Sequence, residues 1–247
     1  VRDDAVDDDA AQNDAVKTMI SKMTRLEQVS ATREALLAAA ERLFAEHGVH
    51  AVGNRQISEA AGQRNNAAVT YHFGAKPDLV RAIARKHAEQ LEGIRAPMMA
   101  GIAGSTDLRD WIACLVRPLA RHLENLGSPT WYARFTAQVT ADPALKAIMV
   151  DEALAAAPVL RLFRDGLARC LPDLPAEVRL ERGAMARHLV VQMCVERERA
   201  LAEHAPTFRP TWEATADSLI DAIVALWQAP VPGPPAMPVT GETEEST

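Results

Sequence analysis

The chain has 247 residues, 48% of them hydrophobic and only 4% aromatic, and a formal net charge of −6. Such a length buries one sizeable core, or a small domain beside a larger one, and its Ala-, Leu-, Arg- and Glu-rich mix favours close-packed helices over strands. No apolar run approaches the roughly 18–20 residues that cross a bilayer, and three scattered cysteines (Cys114, Cys170, Cys194) argue against a disulfide framework or a structural metal.

Charge is unevenly spread. Residues 31–86 hold eight basic and five acidic side chains, whereas every other stretch is net acidic. Local rather than total charge governs phosphate binding, so this is the segment suited to a nucleic acid. Ahead of it, residues 1–29 are acidic and poor in large apolar groups, which predicts a disordered arm. The arm has no apolar core of a signal peptide, so a cytoplasmic protein is expected. Met19 and Met23 stand just before the organised region. One expectation is that synthesis in the cell starts there, which the intact mass of the native protein would decide.

From residue 32 the text "TREALLAAAERLFAEHG" sets Leu36, Ala40, Leu43 and Phe44 on one helical face, with Thr32 as N-cap and Gly48 as terminator. His47 and His50 are better explained by the helix dipole than by a metal. A short helix is predicted at 55–61, a glycine turn at Gly62, a third helix at 66–73 stopped by Gly74, and a fourth from Pro77. Two short helices joined by a glycine turn and braced by two longer ones form a helix-turn-helix. Further helices are predicted at 106–126, 129–140, 143–156, 158–170, 176–204 and 210–228. Ser128-Pro129 and Asp142-Pro143 read as start signals, and residues 229–247 as a Pro-rich acidic tail.

In a helix-turn-helix the second helix enters the major groove with its N-terminal residues at base edges. Asn65 and Asn66 can bond adenine, Ala67 and Ala68 permit close approach, and Thr70 can meet a thymine methyl or a phosphate. Arg55, Tyr71, His72 and Lys76 are suited to backbone phosphates, which fix register without reading sequence. The competing reading is a short surface helix with solvated polar groups.

The segments "TREALLAAAERLFAEHG", "RQISEAAG" and "YHFGAKPDLV" resemble the DNA-binding domain of the tetracycline-repressor (TetR) family of bacterial regulators, over residues 32–83. The resemblance implies an all-α protein: an N-terminal three-helix DNA-binding domain (30–90) followed by a helical ligand-binding and dimerisation domain (91–228). It implies a homodimer whose last two helices form the interface, which would account for the apolar stripe of Leu219, Ile220, Ile223, Val224, Leu226 and Trp227. It also implies a small-molecule pocket among the central helices. The turn here is one residue longer than family members commonly have, so Arg64 is either a turn residue reaching a phosphate or the first base reader. Lys17, Lys22 and Arg25 are placed to follow the adjacent minor groove, with solvated disorder as the alternative.

Pro118 lies inside an otherwise good helix and predicts a kink that opens a cavity beside Trp111, Cys114, Leu115 and Arg117. Trp131, Phe135, Met149, Phe163, His188, Met193 and Cys194 are further candidates, each with ordinary core packing as its alternative. The mostly apolar set predicts a small hydrophobic effector. No GxGxxG, P-loop, HExxH or GxSxG is present, so no cofactor and no enzyme is expected. The resulting expectation is a dimeric regulator of a palindromic DNA operator, a repressor because occupancy alone blocks a promoter. The alternative is a helical interaction module without sequence-specific DNA binding.

Overall fold

The computed structural model describes residues 4–156, 160–171 and 173–231, and every described element is helical or a turn. Residues 232–247, most of the expected Pro-rich tail, lie outside the described residues, as do 157–159 at the expected start of the 158–170 helix. The elements are α1 (Asp4–His47), α2 (Asn54–Ala60), α3 (Ala68–Phe73), α4 (Lys76–Gly101), α5 (Leu108–Leu126), α6 (Tyr132–Ala141), α7 (Pro143–Ala156), α8 (Leu160–Cys170), α9 (Ala176–Ala202) and α10 (Trp212–Gln228).

Residues 4–29, expected as a disordered arm, instead continue α1, and Thr32 sits inside that helix rather than capping it. No glycine or proline interrupts 4–47. Once the packed segment has nucleated the helix, each further residue adds a bond without a new nucleus. The stripe of Leu36, Ala40 and Phe44 is fully buried, as expected from its spacing. Gly48, at φ 83°, ends the helix with its N–H on the Phe44 carbonyl at 3.0 Å.

Phe44 stacks on Phe135 of α6 with ring centroids 6.4 Å apart, so the first three helices share a core with the rest of the chain. Ile57, Val69, Leu79, Val80 and Ile83, all fully buried, close that core around α2, α3 and the start of α4. Each contributes roughly 1.5–3 kcal/mol of burial. α4 then runs on past residue 94, through Pro97, to Gly101. Pro97 is tolerated because the carbonyl it leaves without a donor belongs to Gly93, which brings no side chain into the gap.

Asp142 caps α7, its Oδ1 accepting from Ala144 N at 2.8 Å and Leu145 N at 3.2 Å, as its place before Pro143 predicts. Ser128 and Pro129 do not start α6, which begins at Tyr132. A carboxylate from far along the chain serves instead. Glu198 of α9 is buried, and its Oε1 accepts from Ala133 N at 2.9 Å while Oε2 accepts from Arg134 N and Nε at 3.0 Å each. Burial raises the Glu198 pKa, and these three donors oppose the rise. α10 packs on α5: Leu219, Ile220, Ile223 and Trp227 are already buried within the chain, so most of the stripe expected at a dimer interface has an intrachain partner.

Candidate nucleic-acid interface and effector cavity

α2 and α3 are joined by Gly62, at φ 70°, whose successor Gln63 donates its N–H to the Ser58 carbonyl at 2.9 Å. Asn65 then closes a local turn. Its Oδ1 accepts from Ala67 N at 2.9 Å, and its carbonyl accepts from Ala68 N at 3.0 Å. The helix therefore starts at Ala68 rather than 66, and Asn66 projects from the turn ahead of it. The N-cap of α3 is Ala67, which has no polar side chain to cap with, so the Asn65 turn holds the helix start from two residues ahead.

Ala68 and Val69 are buried, while Arg64, Asn65, Asn66, Ala67, Thr70 and Tyr71 are exposed. Tyr71 is 82% exposed, high for an aromatic side chain on a rigid helix. His72 is half-buried with its ring edge-on to Tyr71, and Phe73 lies under the Arg33 guanidinium at 4.8 Å. Thr70 Oγ1 accepts from Asn54 Nδ2 at 3.3 Å. Arg55 Nε donates to Glu59 at 2.7 Å, which raises its pKa and shares its charge. Among the described residues no carboxylate pairs with Arg64. Lys76 differs from its expected role at a phosphate: its Nζ donates to the carbonyls of Val49 at 3.0 Å and His50 at 3.4 Å. Two of its three protons thus brace the loop after α1.

A cavity of about 440 Å³ lies between α4, α5, α6, α7 and α9. Its wall includes Leu91, Arg95, Leu115, Leu119, Tyr132, Thr136, Thr140, Lys146, Arg187, His188, Val191 and Gln192. Of the ligand candidates, His188, Leu115 and Cys194 line it and the others do not. Trp111 and Cys114 form a separate core with Met99, against which Phe163 packs, and Trp111 Nε1 donates to the Ser105 carbonyl at 3.0 Å. Arg117 is drawn to α10, where it pairs with Glu213 and, at 2.7 Å, Asp217. Trp131 lies beneath the Arg134 guanidinium at 4.2 Å, and Phe135 is core. Met193 lines a second cavity of about 350 Å³ between α9 and α10, beside the exposed Phe208.

The reason is helical phase. α5 is continuous across Pro118, so 111, 114 and 118 share one face while 115 and 119 turn toward α6 and α9. The sequence did carry one overlooked signal, the hydroxyl pair Thr136 and Thr140 at i, i+4 on one face of α6. Nothing local marked Arg95, Lys146 or Arg187. The buried thiols are inert: burial pushes Cys194 up to about 12 and also raises Cys114. Among the described residues no three His, Cys, Asp or Glu side chains group as metal ligands, and no helix is long and apolar enough to cross a membrane.

A buried polar joint connects the two regions. His87 on α4 places Nε2 2.9 Å from Glu41 Oε2 on α1 and Nδ1 2.8 Å from His122 Nε2 on α5. Its ring stacks on Tyr132 of the cavity wall at 3.9 Å. Each of these two hydrogen bonds needs one ring N–H, and the tautomers set which ring donates between His87 and His122. Burial, and then the neighbouring His87, hold the His122 pKa down to about 4, while burial pushes Tyr132 up to about 12. Further along α4, Arg81 and Arg85 both reach Glu152 of α7, at 3.5 and 2.9 Å.

Two family models match the chain: "Bacterial regulatory proteins, tetR family" over residues 36–83, and "Tetracyclin repressor-like, C-terminal domain" over residues 113–225. The HTH-type transcriptional repressor AcnR of Corynebacterium efficiens is 28% identical over 60% of this chain and 73% of that protein. The HTH-type transcriptional repressor Rv1474c of Mycobacterium tuberculosis is 29% identical over 62% of this chain and 76% of that protein. A putative tetR family regulator from Shewanella sp. PV-4 matches in fold with a TM-score of 0.53, at 16% identity, over 79% of this chain and 96% of its own. A TetR family regulator from Marinobacter aquaeolei VT8 does so at 0.50, with 21% identity, over 79% and 97%.

Proposed function

The chain belongs to the TetR family of bacterial DNA-binding transcription regulators, and from that premise we propose that it is a dimeric repressor of a palindromic operator, released when a small molecule fills the cavity between α4, α5, α6, α7 and α9. Members of the family are DNA-binding proteins without enzymatic activity. The observation that carries the finer reading is the outward face of α3 and its preceding turn. Its hydrogen-bonding groups stand in solvent on a backbone locked by Val69, Ile57 and Phe44 beneath them. Asn66, Ala67 and Thr70 are assigned to base edges, with Asn65 beside them, and Arg64 to the first base or its phosphate. Tyr71, His72 and Arg55 are assigned to phosphates, and Lys76 to positioning the loop behind them.

A dimer is supported by the outer groove of α9 and α10. Leu189, Met193, Ala222 and the exposed Phe208 line it, and the small Ala222 permits close helix approach. Coupling is assigned to α4, which carries Lys76 at the DNA end, His87 in the joint, and Leu91 and Arg95 in the cavity wall. An occupant that shifts α4 relative to α6 must also shift Glu41 and α1 through the buried bonds of His87. Repression is favoured because the Corynebacterium efficiens and Mycobacterium tuberculosis relatives carry that description.

The test is selection of bound sequences from random duplex DNA at two salt concentrations, with purified full-length protein. A palindromic site with affinity that falls steeply with salt is expected. Failure of folded, ligand-free dimer to enrich any site would overturn the assignment.

A further inference from the structure

The cavity wall is rich in basic side chains. Arg95, Lys146 and Arg187 line it with His188, and no aspartate or glutamate does. Elsewhere in this chain of net charge −6 an enclosed guanidinium meets a carboxylate, as Arg117 does on Asp217 and Arg134 on Glu198, or backbone carbonyls, as the buried Arg182 and Arg197 do. Among the described residues neither Lys146 nor Arg187 has a carboxylate partner. Arg95 has Nη1 on Glu92 at 3.2 Å, its Nη2 has no protein acceptor, and its Nε is buried with none. Thr136 Oγ1, on the same wall, is buried beside the Tyr132 hydroxyl without a properly formed hydrogen bond. Leu91, Leu115, Leu119 and Val191 make up an apolar remainder.

Buried donors without acceptors are costly, and a guanidinium fork matches a carboxylate in geometry as well as charge. A neutral or cationic occupant would leave the buried Arg95 Nε without an acceptor and gain nothing from the field of the exposed Lys146 and Arg187. We propose that the cavity takes an amphiphile with a carboxylate head and an aliphatic body. Its head lies against Arg95 within the field of Lys146 and Arg187, and its body lies along the leucines. This rests on the cavity being the effector site, and it replaces the wholly apolar effector expected from the sequence with an anionic one.

The test uses the full chain and three probes of one chain length: decanoate, decanol and decyltrimethylammonium, titrated calorimetrically. Decanoate is expected to bind about tenfold or more tightly than decanol, and the ammonium most weakly. Arg95→Gln should abolish that preference. The exposed pair Lys146→Gln and Arg187→Gln, which poses no folding hazard, should reduce it while decanol affinity stays unchanged. Equal binding of the three probes, binding of none, or a preference that survives both sets of substitutions would each overturn the proposal. Release of the selected operator is read in parallel. Carboxylate-selective binding that leaves DNA bound would sink the effector reading and keep the anion site. Release by decanol as well as decanoate, without a difference in affinity, would keep the effector reading and sink the anion site.

Discussion

Acidification should weaken this fold through one ring. His122 is nearly inaccessible, is hydrogen-bonded to His87, and has its pKa lowered from 6.5 to about 4 by burial and by its neighbour. Between those values the unfolded chain binds a proton that the folded chain refuses, so the stabilisation is complete above pH 6.5 and is lost as pH falls toward 4. The full depression corresponds to ~3 kcal/mol. Allowing for solvent screening at the ring edge, about 1–2 kcal/mol of it is lost by pH 5. Urea titrations at fixed protein concentration, from pH 7.5 to 5, would show this as a falling midpoint at constant slope. His122→Asn should be less stable at pH 7.5, because the shorter side chain withdraws from the His87 ring nitrogen 2.8 Å away and packs the site less fully, and should flatten the pH dependence. If wild type and variant lose stability in parallel over that range, His122 is not the group that titrates.

Tyr71→Phe should leave thermal stability within about 0.5 kcal/mol, since the hydroxyl is solvent-exposed, yet weaken DNA binding uniformly across sequences in anisotropy titrations. A change in base preference would contradict its assignment to a phosphate. Asn66→Ala should relax preference at one position per half-site by about 1–3 kcal/mol; an unaltered selected motif would move base reading to another residue of the turn. Glu198→Gln turns an amide donor toward the Ala133 or Arg134 N–H it now accepts from, and should cost about 3 kcal/mol in denaturant unfolding. A loss under 1 kcal/mol would mean that α6 caps itself another way. Gly166→Ala would set a Cβ into the Trp111 ring, so overpacking of about 1–3 kcal/mol should outweigh the roughly 1 kcal/mol gained in helix propensity. A raised melting temperature would show that the ring can move aside.

Much of the molecule was decided by local chemistry and was legible in the sequence. Gly48, Gly62 and Gly74 stop helices because each adopts a positive φ that other residues resist, and Asp142 before Pro143 caps α7 through its own carboxylate. The burial of Leu36, Ala40 and Phe44 follows from their spacing, and the Tyr-His-Phe after the glycine turn marks the family. What the tertiary structure alone decided involves partners distant in the chain. Glu198 caps a helix 64 and 65 residues away, and the wide stripe of α10 is spent on α5. Lys76 is turned inward by the carbonyls of Val49 and His50. The cavity wall is drawn from five helices, α4 to α7 and α9, whose relative rotation no single segment specifies, which is why Trp111 and Phe135 went to core while Arg95, Lys146 and Arg187 met around one space. A helix periodicity fixes which residues share a face, but the identity of the opposing face depends on packing between segments that the local sequence does not encode.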